Sequence, residues 1–407
     1  MRGSSRLSAR SEQAAPLAAA RLSGFYAAAF LVNGIQLPFW PVWLAARGLG
    51  PREIAFLFAA AIWAKVATAP AIGMIADRLG QRRAVMAALA AAALAAYLGL
   101  FWTAGLAALL ALNLLALTAQ SALMPLGDAV ALGFSRTRTL DYGRVRVWGS
   151  VSFILASLVA GRVLAASSSE RVLPLVLGAS TLLLLACLGV PALPESNRGA
   201  QRAAWHSLGG VAANPRFWGV VATAAALQAS HQVYYGFGTL YWRSLGFSDT
   251  AVGWLWAEGV LAEIVLFWQG GRLVARLGPA GLMALGGAAG VVRWTLAAAL
   301  PGLPAAAALQ LLHALTFGAS HLGTMYFLSR IIVPESAAGA QTIYAAVSSG
   351  FGGGLVMLAA GALYALYGGH AYLFMALLSA VGLAGAVRLG RPPPSRRTPA
   401  TDRTSDA

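Results

Sequence analysis

The sequence predicts an all-α integral membrane protein: twelve transmembrane helices arranged as two six-helix halves. Three observations predict it. Of the 407 residues, 59% are hydrophobic and only 10% charged, whereas a soluble domain carries about a quarter charged residues. Apolar stretches of roughly 20 residues, the length that crosses a bilayer, recur along nearly the whole chain. A short segment marked by glycine and arginine returns once, 198 residues further on, so the second half restates the first.

Taken in order, the spans fall near 22–44, 53–76, 84–103, 106–133, 146–166, 172–193, 215–242, 250–268, 280–300, 303–329, 340–366 and 369–389. The connections near 103–105 and 301–304 are nearly as apolar as the helices they join. Residues 1–21 form a basic, Ser- and Ala-rich tail in which Glu12 is the one acid. The first span, with Asn33 and Gln36, is too long and too polar for the core of a signal peptide. The halves are then 22–193 and 215–389, joined by a polar linker at 194–214 that is too short to fold as a domain. Residues 390–407, with Pro392 to Pro394 and alternating charge, read as a disordered tail.

A formal charge of +16 would suit a nucleic-acid partner, but the placement of the bases excludes one. With both termini in the cytoplasm, 22 of the 29 bases lie on that side and five, Arg47, Arg52, Arg162, Arg171 and Arg243, on the other. Such asymmetry is the positive-inside bias of a multi-pass protein, here of a bacterial inner membrane. The remaining two bases, Arg293 and Lys65, the only lysine, lie inside spans. The single Cys187 cannot form an internal disulfide.

Between the second and third spans runs Gly73-Met74-Ile75-Ala76-Asp77-Arg78-Leu79-Gly80-Gln81-Arg82-Arg83. Gly80 permits a tight turn, Asp77 can accept hydrogen bonds from a helix N-terminus, and Arg78, Arg82 and Arg83 hold the loop on the cytoplasmic side. The segment resembles the loop signature of the major facilitator superfamily, G-x-x-x-D-(R/K)-x-G-(R/K)-(R/K), with Gln81 in place of one base. Gly271 through Gly278 is a degraded copy with Ala275 at the Asp77 position. The resemblance implies parallel repeats with the substrate site between the halves near the midplane.

Spans otherwise free of charge contain Lys65, Asp128, Glu258, Glu263 and Arg293. Each costs roughly 2.5–3.5 kcal/mol at a helix centre, so they must face a cavity or one another. Glu263, mid-span, is placed to load and release a proton, with Arg293 on the next span as its expected cation or as a two-pronged clamp for a substrate carboxylate; a structural ion pair is the other reading. Glu258 stands about 140° from Glu263 around the helix, as cavity wall or structural partner. Lys65 can contact a substrate anion or pair with Asp128, which follows a Pro125 kink and can serve a cytoplasmic gate. His313 and His321 look into one half of the bundle, and they and His231 can relay protons or bond across helices. No Cys or carboxylate spacing accompanies them, so no metal site is expected. Trp40, Tyr234 and Tyr235 belong to an aromatic set that would wall a cavity suited to an aromatic carboxylate.

Leu37-Pro38-Phe39-Trp40-Pro41-Val42-Trp43-Leu44, Asp141 through Ser150, His231 through Phe237 and Leu312 through Phe317 together resemble the 3-phenylpropionic acid permease family, related to the lactose permease and nucleoside symporter group. That group carries a buried Glu, Arg and His on consecutive helices of the second half, and Glu263, Arg293 and His313 repeat the order. The resemblance implies a proton-coupled symporter importing a small aromatic carboxylate by alternating access, with Arg144 and Arg146 joining the Asp77 loop as a cytoplasmic gate. A symporter of a sugar or nucleoside, or an exporter, is the alternative. No nucleophile and base lie together as an enzyme would need. No cofactor is implied, only the proton gradient as energy source, and a monomer is expected.

Overall fold

In a computed structural model, residues 2–103, 105–136, 140–191, 208–300, 302–333 and 336–391 are described, and every regular element among them is helical. The first half comprises α1 (Pro16–Ala46), α2 (Pro51–Leu79), α3 (Arg82–Gly99), α4 (Leu106–Ser135), α5 (Tyr142–Ala165) and α6 (Ser169–Gly189). The second comprises α7 (Pro215–Ala229 and Gln232–Ser244), α8 (Asp249–Trp268), α9 (Gly270–Ala298) and α10 (Leu303–Ile331). It closes with α11, running from Ala337–Ala345 into Gly353–Tyr367, and α12 (Tyr372–Gly390). The backbone of the tail is helical from Arg2 and enters α1 without a break. Residues 192–207, most of the linker, and 392–407 of the tail lie outside the described residues.

The helices start where the sequence supplies caps. Asp141, Asn214 and Ser248 each accept a backbone N–H of the following first turn, satisfying donors that a helix leaves free. Their interruptions are local too. Pro125 cannot donate to the carbonyl of Ser121, and α4 breaks at Ala122. α7 breaks at Ser230 and His231, a feature the apolar run did not reveal. Gly80 ends α2 at φ 65° and Gly278 interrupts α9 at φ 67°, so the internal repeat places a left-handed glycine at the same point of each half. Two π-helical turns, Ala314–Ala319 in α10 and Ala346–Gly352 in α11, occur in spans that line the second half, the kind of irregularity that functional sites favour.

The halves meet chiefly along two seams, α5 on α8 and α2 on α11, with a lesser contact of α1 on α7. The approaches of helix to neighbouring backbone across these seams lie at the end opposite the Asp77 loop. A Cβ at Gly253 would sit 2.4 Å from the carbonyl of Ser157, and one at Gly161 would sit 2.4 Å from that of Asp249. At the second seam a Cβ on Gly361 would meet Ala55 and the Pro51 carbonyl. Arg243 bonds both oxygens of Asp249 and donates to Ser169 of the first half at 2.9 Å. The bundle is therefore drawn shut at this far end.

Candidate functional site

Arg293 is the centre of the site and is 1% exposed. Its Nη1 donates to His313 Nδ1 at 3.1 Å and to Thr316 Oγ1 at 2.9 Å, and its Nη2 donates to Gln310 Oε1. Its guanidinium lies over the rings of Trp294, at 4.3 Å, and Tyr234, at 4.9 Å. Gln310 passes the network on, donating to Tyr234 Oη at 2.9 Å and to the Leu255 carbonyl at 2.8 Å. Every polar edge of the guanidinium that these bonds engage is thus met by a neutral acceptor or a ring face.

The bonding pattern fixes the histidine protons. An arginine can only donate, so His313 Nδ1 accepts and the hydrogen of the neutral ring sits on Nε2. That nitrogen lies 3.8 Å from Glu263 Oε2. His231 Nδ1 faces the Leu227 carbonyl at 3.1 Å and must donate to it, leaving Nε2 to accept from Thr316 at 3.1 Å. Glu263, His313, Arg293, Thr316 and His231 form one string across α8, α10, α9 and α7.

Two expectations are corrected here. Arg293 does not pair with Glu263, because the imidazole of His313 stands between them. Arg146 of the first half is seated on the rings of Phe30 at 4.1 Å and Tyr26 at 5.5 Å. Nor is Arg293 open to clamp a substrate. The void beside it, lined by Tyr234, Trp242, Gln310 and Tyr372, offers about 20 Å³, room for a single water and far too little for an aromatic acid.

Other expected site residues scatter. Lys65 does not pair with Asp128, whose Oδ1 accepts from Tyr26 at 2.6 Å and Tyr142 at 3.0 Å. Both hydroxyls donate to the same oxygen, and among the described residues no cation lies within ion-pair distance of the carboxylate. Trp40 is packing rather than cavity wall: it is 1% exposed, stacks on Trp43 at 4.7 Å and donates to Asn113 at 2.9 Å. Tyr234 is buried within the Arg293 nest, stacked on Trp256 at 4.5 Å, while Tyr235 is half-buried beside the His231 ring. Glu258 is half-buried, about 1.4 turns from Glu263. His321 stacks on Phe317, which stacks on His313 in turn. In the loop, Asp77 takes two hydrogen bonds from Arg82, at 2.6 and 3.0 Å, while Gly73 is half-buried and Arg78 and Arg83 are exposed. Arg144 pairs with Asp141 at 3.4 Å in the open.

What the sequence did not single out are the uncharged partners. Gln310 and Thr316 hold Arg293, and in the first half Gln36, Tyr97 and Gln120 close a ring of hydrogen bonds at 2.6, 2.8 and 2.9 Å, with Asn33 at its edge. Amide side chains in mid-span were the available signal, since such groups must find partners away from water. Among the described residues no three metal-ligating side chains gather.

Residues 19–376 match the description MFS_1-like family. The chain belongs to that family. Among MFS_1-like relatives, it is 32% identical over 355 residues to the "Probable 3-phenylpropionic acid transporter" of Escherichia coli (strain K12), covering 86% of this chain and 92% of that one. It is 27% identical over 368 residues to the "Maltose permease" of Geobacillus stearothermophilus, covering 88% and 91%. Its fold is that of the nucleoside transporter NupG, with a TM-score of 0.80 at 17% identity over 92% of this chain and all of that one. A bacterial homologue of Spinster in an inward-facing conformation overlays with a TM-score of 0.76 at 14% identity, over 92% and 96% of the two chains. The MFS_1-like chain is a multi-pass secondary transporter with a small-molecule substrate, of the major facilitator fold, and these relatives are transporters rather than enzymes.

Proposed function

We propose that this protein is a proton-coupled symporter that imports a small aromatic carboxylate, such as 3-phenylpropionate, as a monomer in a bacterial inner membrane with both termini in the cytoplasm. The observation that carries the coupling is the string Glu263, His313 and Arg293, with gaps of 3.8 and 3.1 Å. A carboxylate removed from water beside a neutral imidazole is a proton site. Rocking the halves changes the surroundings of that carboxylate, and so ties proton release to the side of the membrane that is open.

The substrate class rests on the 3-phenylpropionic acid relative. The relationship to a maltose permease favours a second reading, a neutral sugar moved by the same coupling. Uptake of labelled 3-phenylpropionate into proteoliposomes separates the two. Accumulation driven by an inward proton gradient, competed by cinnamate and not by maltose, supports the carboxylate reading. Glu263→Gln should keep exchange of substrate between the two sides and lose uphill uptake; a variant that still concentrates substrate removes Glu263 as the coupling site.

A further inference from the structure

The second cation inside the spans, Lys65, differs from Arg293 in every respect that matters to a ligand. It occupies the middle of α2, and its side chain is exposed. Its helical position shows what it is exposed to. Ile54 and Ala76, each eleven residues away, fall within about 20° of the same face, and both are 0% exposed. Phe58 and Ile72, seven residues away and also within about 20°, pack against the core. Phe56 and Met74, nine residues away and so on the opposite side, are 55% and 51% exposed, which marks the lipid-facing stripe. Lys65 thus points into the protein and still finds open space, so an internal cavity interrupts the packed face at mid-span.

The neighbours of Lys65 place that cavity on the seam between the halves. Trp63 packs on Gly354 and Val66 on Gly350 of α11, the second beside the π-helical turn Ala346–Gly352. The indole of Trp63 reaches the Phe351 carbonyl at 3.5 Å. Across the first half, Gln120 of α4 and Asn33 of α1, both half-buried, stand at the same mid-span depth. Among the described residues no carboxylate comes within ion-pair distance of Lys65, and the nearby first-half acids are engaged elsewhere: Glu53 by the Gly50 N–H, Asp77 by Arg82, and Asp128 by two tyrosines. An ammonium that is neither paired nor at an interface is costly in a membrane protein unless the cavity admits water or an anion.

We infer that Lys65 is the group that recognises the anionic end of the substrate, while Arg293 serves the coupling network alone. This rests on the proposed carboxylate transport and deepens it: the carboxylate is read by the first half, at the seam with α11, and the proton by the second half, at Glu263. Division of the two charges between the halves means that each half senses one ligand, and only their joint occupation neutralises the cavity before the halves rock.

Lys65 is the only lysine in the chain, which makes the wild-type protein its own probe. A water-soluble amine acylating reagent can modify only Lys65 and the N-terminal amine, and peptide mass spectrometry separates the two. Lys65 should be acylated in the native protein and protected in a saturable manner by 3-phenylpropionate, cinnamate or benzoate, with no protection by 3-phenylpropanamide. Lys65→Gln should raise the KM for carboxylate uptake roughly 10-fold or more, the loss of one charge-assisted hydrogen bond, with partial recovery in Lys65→Arg. The inference is overturned if Lys65 resists the reagent in folded protein, if no carboxylate protects it, or if Lys65→Gln transports the carboxylate with an unchanged KM. Protection reads binding without a gradient, so it stands or falls separately from the gradient experiment that tests proton coupling.

Discussion

A guanidinium held by neutral partners depends on each of them, and in the Arg293 nest the partner with most to hold is Gln310. Its carbonyl oxygen accepts from Arg293 while its amide serves Tyr234 and Leu255, so a single side chain satisfies three buried groups. Gln310→Leu keeps the volume and removes all three bonds, leaving the Arg293 Nη2 and Tyr234 contacts unmet while the Leu255 carbonyl keeps its place in the helix. Leaving a buried donor or acceptor unmet costs about 1–3 kcal/mol each, and the variant should melt several degrees below wild type in detergent. An unchanged midpoint would mean that Arg293 holds its place without the nest. The histidine tautomer makes a second prediction at this scale. Because His313 Nδ1 accepts from Arg293, only Nε2 carries a hydrogen towards Glu263, and in His313→Asn the amide is too short to span both. Gradient-driven uptake should then fall at least tenfold, about 1.4 kcal/mol, while exchange is less affected. Equal loss of both in folded protein would assign His313 to binding.

At the scale of helices, the far-end closure depends on the absence of side chains. Gly253 and Gly161 let α5 and α8 approach until a Cβ would strike backbone carbonyls at 2.4 Å, and backbone cannot step aside as a flexible side chain can. Gly253→Val should therefore wedge the seam open at that end and shift the population towards the opposite state, without touching the Arg293 nest. The native Cys187 is buried, so a reporter can be added in its silent background. Ala306→Cys, beside the Arg293 void and 2% exposed, should react several-fold faster with an impermeant maleimide when Gly253 is also valine. Equal rates would show that the seam yields elsewhere, and the Arg243, Asp249 and Ser169 bridge would be the next part to release.

For the molecule as a whole, what was legible in the sequence is what single residues declare by themselves. Twelve spans follow from apolar length, and ten continuous segments already satisfy a membrane criterion; one of these, Gly339–Gly390, folds back at Gly368 to cross twice, and the broken α7 supplies another crossing. Gly80 and Gly278 announced their turns because only glycine enters the left-handed region freely. Glu263, Arg293 and His313 stood out as costly groups in lipid. Their order of contact did not, since it depends on Gln310 and Thr316, which no charge count marks; nor did the partners of Asp128, for which pairing with Lys65 is one option from sequence, whereas tyrosines 102 and 14 residues away donate to it. Orientation is likewise a property of the whole, carried by 22 bases on one side against five on the other. Because the bias counts Arg and Lys near span ends, a fluorescent protein fused after Ala407 should fluoresce in cells, and a phosphatase that matures only outside the cytoplasm should be active when inserted at Gly246. The far end is then external and the closed seams describe a transporter open to the cytoplasm, ready to release its substrate inward. A dark fusion and an inactive phosphatase would invert the protein, and the same closed seams would then describe a carrier open to the outside.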